Sequence, residues 1–160
     1  MTAILENIPE NARIWIYQAD RKLNESELSL VRQKAEDFVR QWAAHGKQLA
    51  ATFSLERDQF LIFMVDESVN MASGCSIDSS VGVVRELENE LSISFLDRSK
   101  VAFLINGEVD LMPFNRIRDA ISEGKISENT LFFNNAIETV ADLENNWLVP
   151  AGSSWLKRYF

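Results

Sequence analysis

The stretch Phe60-Leu-Ile-Phe-Met-Val-Asp-Glu-Ser-Val-Asn-Met-Ala-Ser-Gly-Cys-Ser-Ile-Asp78 passes from an unbroken apolar run, through a turn of small and polar residues, into a helical pattern. An apolar run of this length, closed by turn residues, reads as a strand buried on both faces. Just upstream, Leu49, Ala51, Phe53 and Leu55 alternate with Ala50, Thr52 and Ser54, which is the period of a half-buried strand. Polar Glu56 to Gln59 joins the two strands as a hairpin. Downstream, Ile77, Val81, Val84, Leu87 and Leu91 recur at helical spacing and predict a helix from about Ser76 to Leu91. Gly82 inside it costs about 1 kcal/mol relative to Ala and is expected to allow close packing on a sheet.

Outward from this centre, Arg13 to Gln18 carries bulky residues at every position from Ile14 to Tyr17 and predicts a central strand covered on both faces. Asn24 and Glu27 have the spacing of a capping box. Leu28, Val31, Ala35, Phe38 and Trp42 then predict a helix from about Ser26 to Ala44, stopped by Gly46. Lys100 to Ile105 is a strand, turned by Asn106-Gly107 into Glu108 to Met112. The order strand, helix, strand, strand, helix, strand predicts an α+β fold: a ferredoxin-like split βαβ antiparallel sheet with helices on one face. Its core covers about 13–105, with a C-terminal extension over about 106–160. In the extension, Phe114, Ile117 and Ile121 suggest a short helix closed by Gly124, Thr130 to Phe133 a strand, and Thr139 with Asp142 a capped small helix. The closing Trp155-Leu-Lys-Arg-Tyr-Phe160 is too aromatic for a free tail and is expected to pack back.

With 160 residues and 46% hydrophobic content, the chain is sized for one domain without disulfide or metal staples. The polar lead-in from Met1 to Ala12 has no basic segment followed by an apolar core, so no signal peptide is expected. No apolar run reaches the roughly 20 residues of a membrane span. A balance of 24 acidic against 16 basic residues, a formal charge of −8, repels phosphate backbones and anionic lipid surfaces. Nucleic acid is therefore not an expected partner. A lone cysteine fits a reducing cytoplasm.

Three stretches, Arg13-Ile-Trp-Ile-Tyr-Gln18, Ser73-Gly-Cys-Ser-Ile-Asp78 and the aromatic terminus from Trp155, together resemble a family of short bacterial proteins of unknown function. The likeness extends over nearly the whole chain. Members often carry the label "ABC transporter ATPase", which implies a Gly-x-x-x-x-Gly-Lys-Ser/Thr loop whose amides cradle phosphate. Here Gly46-Lys47 is followed by Gln48 and Gly124-Lys125 by Ile126, and neither pair has a glycine five residues before its own. With no phosphate cradle, neither ATP binding nor nucleotide hydrolysis is expected. The resemblance implies a shared fold and a soluble bacterial setting.

Candidate chemistry gathers at the strand-to-helix turn. Cys75 lies at a helix start, where unpaired amides and the dipole favour a thiolate; equally, a small apolar residue suits a tight turn. His45 is the sole histidine, a candidate base or simply a polar residue in a last helical turn. Asp66, Glu67 and Asp78 supply carboxylates, but they lack any recognised metal spacing, so no metal and no cofactor are expected. Ser73, Gly74 and Ser76, with Ser79 and Ser80, could hold a small anion or merely cap the helix. The split βαβ order expects the turns at His45-Gly46 and Asp66 to Ser76 to be neighbours. Two functions follow. The first is a cytoplasmic, non-catalytic binding or interaction protein for a small molecule or protein, with a homo-oligomer left open. The alternative is a thiol-dependent enzyme or redox sensor with Cys75 as nucleophile, His45 as base and the Ser76 and Ile77 amides as an anion hole.

Overall fold

A computed structural model describes residues 7–160 and has an α+β architecture of helices and antiparallel sheets. Met1 to Glu6, half of the expected lead-in, lie outside the described residues. The chain divides into two compact units. The first ends at Leu96 and regains Glu138–Ala141; the second comprises Asp97–Ile137 and Asp142–Phe160.

The first unit contains β1 (Arg13–Gln18), α1 (Glu25–Gln41), β2 (Ala43–Ala44), β3 (Lys47–Gln48), β4 (Ala51–Glu56), β5 (Phe60–Val65) and α2 (Gly74–Leu91). Its three-stranded sheet has the order β1-β5-β4. The apolar run is thus the central strand, and all six of its residues are buried; β1, expected in the centre, lies beside it. Phe63 faces Trp15 on one neighbour and Phe53 on the other. Side chains alternate across a sheet, so Leu61, Phe63 and Val65 share a face. That face forms one core with Leu28, Val31 and Ala35 of α1 and Val84 and Leu87 of α2. Within this core Phe63 meets Trp42 and Tyr17 edge-on at ring separations of 5.7 and 6.1 Å. Contacts of this kind add about 0.5–1.5 kcal/mol each to the burial itself.

α1 begins with the expected capping box: Asn24 accepts from the Glu27 amide, and the Glu27 carboxylate accepts from the Asn24 amide. It ends three residues earlier than expected. Trp42 turns extended, and Ala43–Ala44 pairs with Lys47–Gln48 across His45-Gly46, both at positive φ (52° and 77°). A two-residue turn with both φ positive matches strand twist, so Gly46 closes a small hairpin instead of stopping the helix. Gly82, expected against the sheet, is exposed, and a Cβ there would meet nothing within 4 Å.

The second unit contains β6 (Lys100–Ile105), β7 (Glu108–Pro113), α3 (Ile117–Ser122), β8 (Leu131–Phe133), the later part of α4 (Val140–Asn145) and β9 (Leu148–Pro150). Its sheet has the order β7-β6-β8-β9. The strand through Phe103, expected to complete the first sheet, therefore belongs here. A strand has two hydrogen-bonding edges. β6 uses one along its whole length on β7, through the tight Asn106-Gly107 turn, and the other on β8 at Phe103 opposite Phe132. The compact unit accordingly starts at Asp97, not near 106. In the first unit the outer edge of β1 meets the returning segment instead, with Arg13 bridged to Thr139 and the Ile14 amide donating to Glu138 O at 2.9 Å.

Candidate functional site

The loop from Asp66 to Ser73 is built by its own polar side chains. Asp66 accepts from the Ser68 amide at 3.1 Å and from its hydroxyl at 2.6 Å, closing a local turn. Glu67 accepts from the Ala72 amide at 2.9 Å, and Arg13 lies 4.0 Å from the same carboxylate oxygen. Asn70 reaches across to the small hairpin and donates its Nδ2 to Lys47 O at 3.0 Å and Ala44 O at 3.3 Å. These two carbonyls flank His45-Gly46, so the His45 turn and the 66–73 loop are neighbours.

Ser73 then caps α2 with a reciprocal box: its hydroxyl accepts from the Ser76 amide at 3.1 Å, and Ser76 Oγ accepts from the Ser73 amide at 2.7 Å. Ser76 is buried. Its hydroxyl also donates to Ser73 O, and its carbonyl accepts the Trp42 indole N–H at 2.7 Å. The Ile77 amide donates to Ser73 O at 3.0 Å. Both amides nominated for an anion hole are thus bonded within the cap, and Ser76 is a structural link between α2 and the end of α1. Ser80 is likewise buried, 2.9 Å from the Tyr17 hydroxyl, while Ser79 donates to Cys75 O.

Cys75 is an exposed free thiol on the second residue of α2, with Gly74 beside it and Asp78 further along the same helix, both exposed. His45 is exposed on its hairpin turn and not in a helical turn. Among the described residues no group of three or more His, Cys, Asp or Glu side chains could hold a metal ion, and no helix is long and apolar enough to cross a membrane. Asp66 and Glu67, the carboxylates at the strand exit, bond within the loop. Sequence reasoning missed what that loop displays: Val69 is 68% exposed and Met71 67%. Their alternation about Asn70, in a segment following a fully buried strand, was the available signal.

Comparison with protein-family models, with curated proteins and with solved structures returned no match.

Proposed function

We propose that the chain is a non-catalytic cytoplasmic interaction protein whose contact region is the 66–73 loop, with the Cys75 end of α2 and the His45 hairpin at its border. The observation that carries this reading is the exposure of Val69 and Met71 together on one loop whose backbone is already fixed. Apolar side chains held in water by a preorganised loop lose little conformational entropy on binding. A protein surface fits them better than a small molecule. We read the first unit as a ferredoxin-like split βαβ plan on the strength of the order β1-β5-β4 with α1 and α2 in one core. Membership of the short bacterial family is proposed on the three stretches quoted above.

Cys75, the only thiol, permits a direct test. A benzophenone maleimide attached there should give discrete protein adducts on irradiation in an extract of cells producing the chain, an adduct at twice the chain's mass revealing a homo-oligomer. Val69→Glu with Met71→Glu should remove those adducts; unchanged adducts would refute the loop as the contact region.

One observation favours the thiol-dependent alternative, the exposure of Cys75 near the N-terminus of α2. Thiol chemistry there predicts that iodoacetamide labels the native protein faster than the urea-unfolded chain at neutral pH. Slower labelling of the native protein would eliminate it.

A further inference from the structure

We infer that the surface formed by the closing 3-10 segment Trp155–Tyr159 and the side of α3 that carries Arg118 is a docking site for an acidic linear peptide with an aromatic or aliphatic side chain among its carboxylates. It lies wholly in the second unit and does not rest on the loop reading above. Leu156 is fully buried and Ser154 Oγ accepts its amide at 3.1 Å, which anchors the segment while Lys157 and Arg158 remain exposed. Trp155 sits between Phe114 and Phe132, at ring separations of 5.8 and 6.0 Å, yet stays 43% exposed. The Arg158 guanidinium lies 5.9 Å from the Trp155 ring centre and 5.1 Å from that of Tyr159, and Arg118 lies 5.6 Å from Tyr159.

These cations form no ion pair with a carboxylate among the described residues, and two of them, Arg118 and Arg158, gather about the single Tyr159 ring. In a chain with 24 acidic and 16 basic residues, an unneutralised group of two arginines and a lysine complements an external anion. A guanidinium resting on a ring keeps in-plane N–H donors that match a carboxylate in pairs. Two such forks beside one tyrosine fit closely spaced acidic residues, and the exposed part of Trp155 supplies the apolar contact. Arg, Trp and Tyr are also the residues that dominate interface energetics. Nucleic acid fits less well, because guanidinium groups already occupy ring faces on which bases would stack.

The test is selection of random dodecapeptides displayed on phage against the full chain. The enriched sequences should be net acidic and carry an aromatic or aliphatic residue. A fluorescein-labelled enriched peptide should shift the Trp155 indole resonance on binding. Its affinity should fall at least about tenfold on Arg118→Gln/Arg158→Gln, and further on Arg118→Glu/Arg158→Glu, as expected for lost charge-assisted contacts. All these positions are exposed, and an unchanged far-ultraviolet spectrum and melting temperature would show that each variant folds. Absence of enrichment, enrichment without acidic bias, or affinity unchanged in both variants would overturn the proposal. So would arginine-dependent binding of oligouridylate or phosphatidylserine vesicles in place of peptide.

Discussion

Glu27 shows how one side chain can serve two structures. Its carboxylate takes both forks of Arg21, at 2.7 and 2.8 Å, and the Asn24 amide at 3.0 Å. The Arg21 hydrogen bonds, followed by the Asn24 amide, lower its pKa from the ordinary 4.5 to about 2. A depressed carboxylate contributes stability that is present above its unfolded pKa and is lost as pH falls through its folded one. Glu27→Gln should therefore be less stable than the parent at pH 7, and the gap should narrow from about pH 4.5 and close near pH 2. Urea unfolding at stepped pH reads this directly. A gap that stays constant with pH would show that the ionised carboxylate contributes nothing beyond its neutral hydrogen bonds.

At the scale of elements, the β2–β3 turn tests whether backbone conformation or imidazole chemistry placed His45 where it is. Non-glycine residues at positive φ cost roughly 1 kcal/mol, and asparagine tolerates the region better. His45→Asn, which creates Asn-Gly at φ 52° and 77°, should leave stability unchanged or raise it by up to about 0.5 kcal/mol, while Gly46→Ala should lower it by about 1 kcal/mol. A second contrast separates two glycines. At exposed Gly82 in α2 a Cβ meets open space, so Gly82→Ala should stabilise by about 0.5–1 kcal/mol. At Gly152 a Cβ would lie 2.6 Å from Glu128 Cβ and 3.1 Å from Glu128 O, beside the 2.8 Å Gly152 N–H bond to that same carbonyl. Because Cβ and backbone atoms have little room to yield, Gly152→Ala should destabilise by about 1–3 kcal/mol. Denaturant midpoints for the two alanine variants should move in opposite directions.

For the whole molecule, the expectation on nucleotide is negative. Neither Gly-Lys pair has the flanking residues of a phosphate loop, and a ligand raises the melting temperature only in proportion to its binding to the native state. Millimolar ATP with magnesium should leave the thermal transition where it is. A rise that tracks ATP concentration would require a phosphate site of a different kind.

Local pattern determined much of the chain. Asn24 and Glu27 specified the start of α1, the alternation around Phe53 and the run from Phe60 specified the β4–β5 hairpin, and Asn106-Gly107 specified the β6–β7 turn. Each is a preference expressed within a few residues by capping, side-chain period or turn conformation. At the candidate site, the proximity of the His45 turn to the 66–73 loop was legible from strand order, and the place of Cys75 at the start of α2 from the helical period, whereas its exposure was not. Only tertiary structure decided which edge each strand presents. β6 spends both edges on β7 and β8 and leaves β1 to meet Glu138 and Thr139, because the sequence of a strand encodes its faces but not its neighbours. The same limit hid the serines: Ser76 and Ser80 read as anion-holding or helix-capping residues, yet Trp42 and Tyr17, more than thirty positions away, supply their buried partners. A hydrogen bond between distant segments leaves no period in the sequence, so the fold alone reveals whether a polar side chain is a ligand or a link.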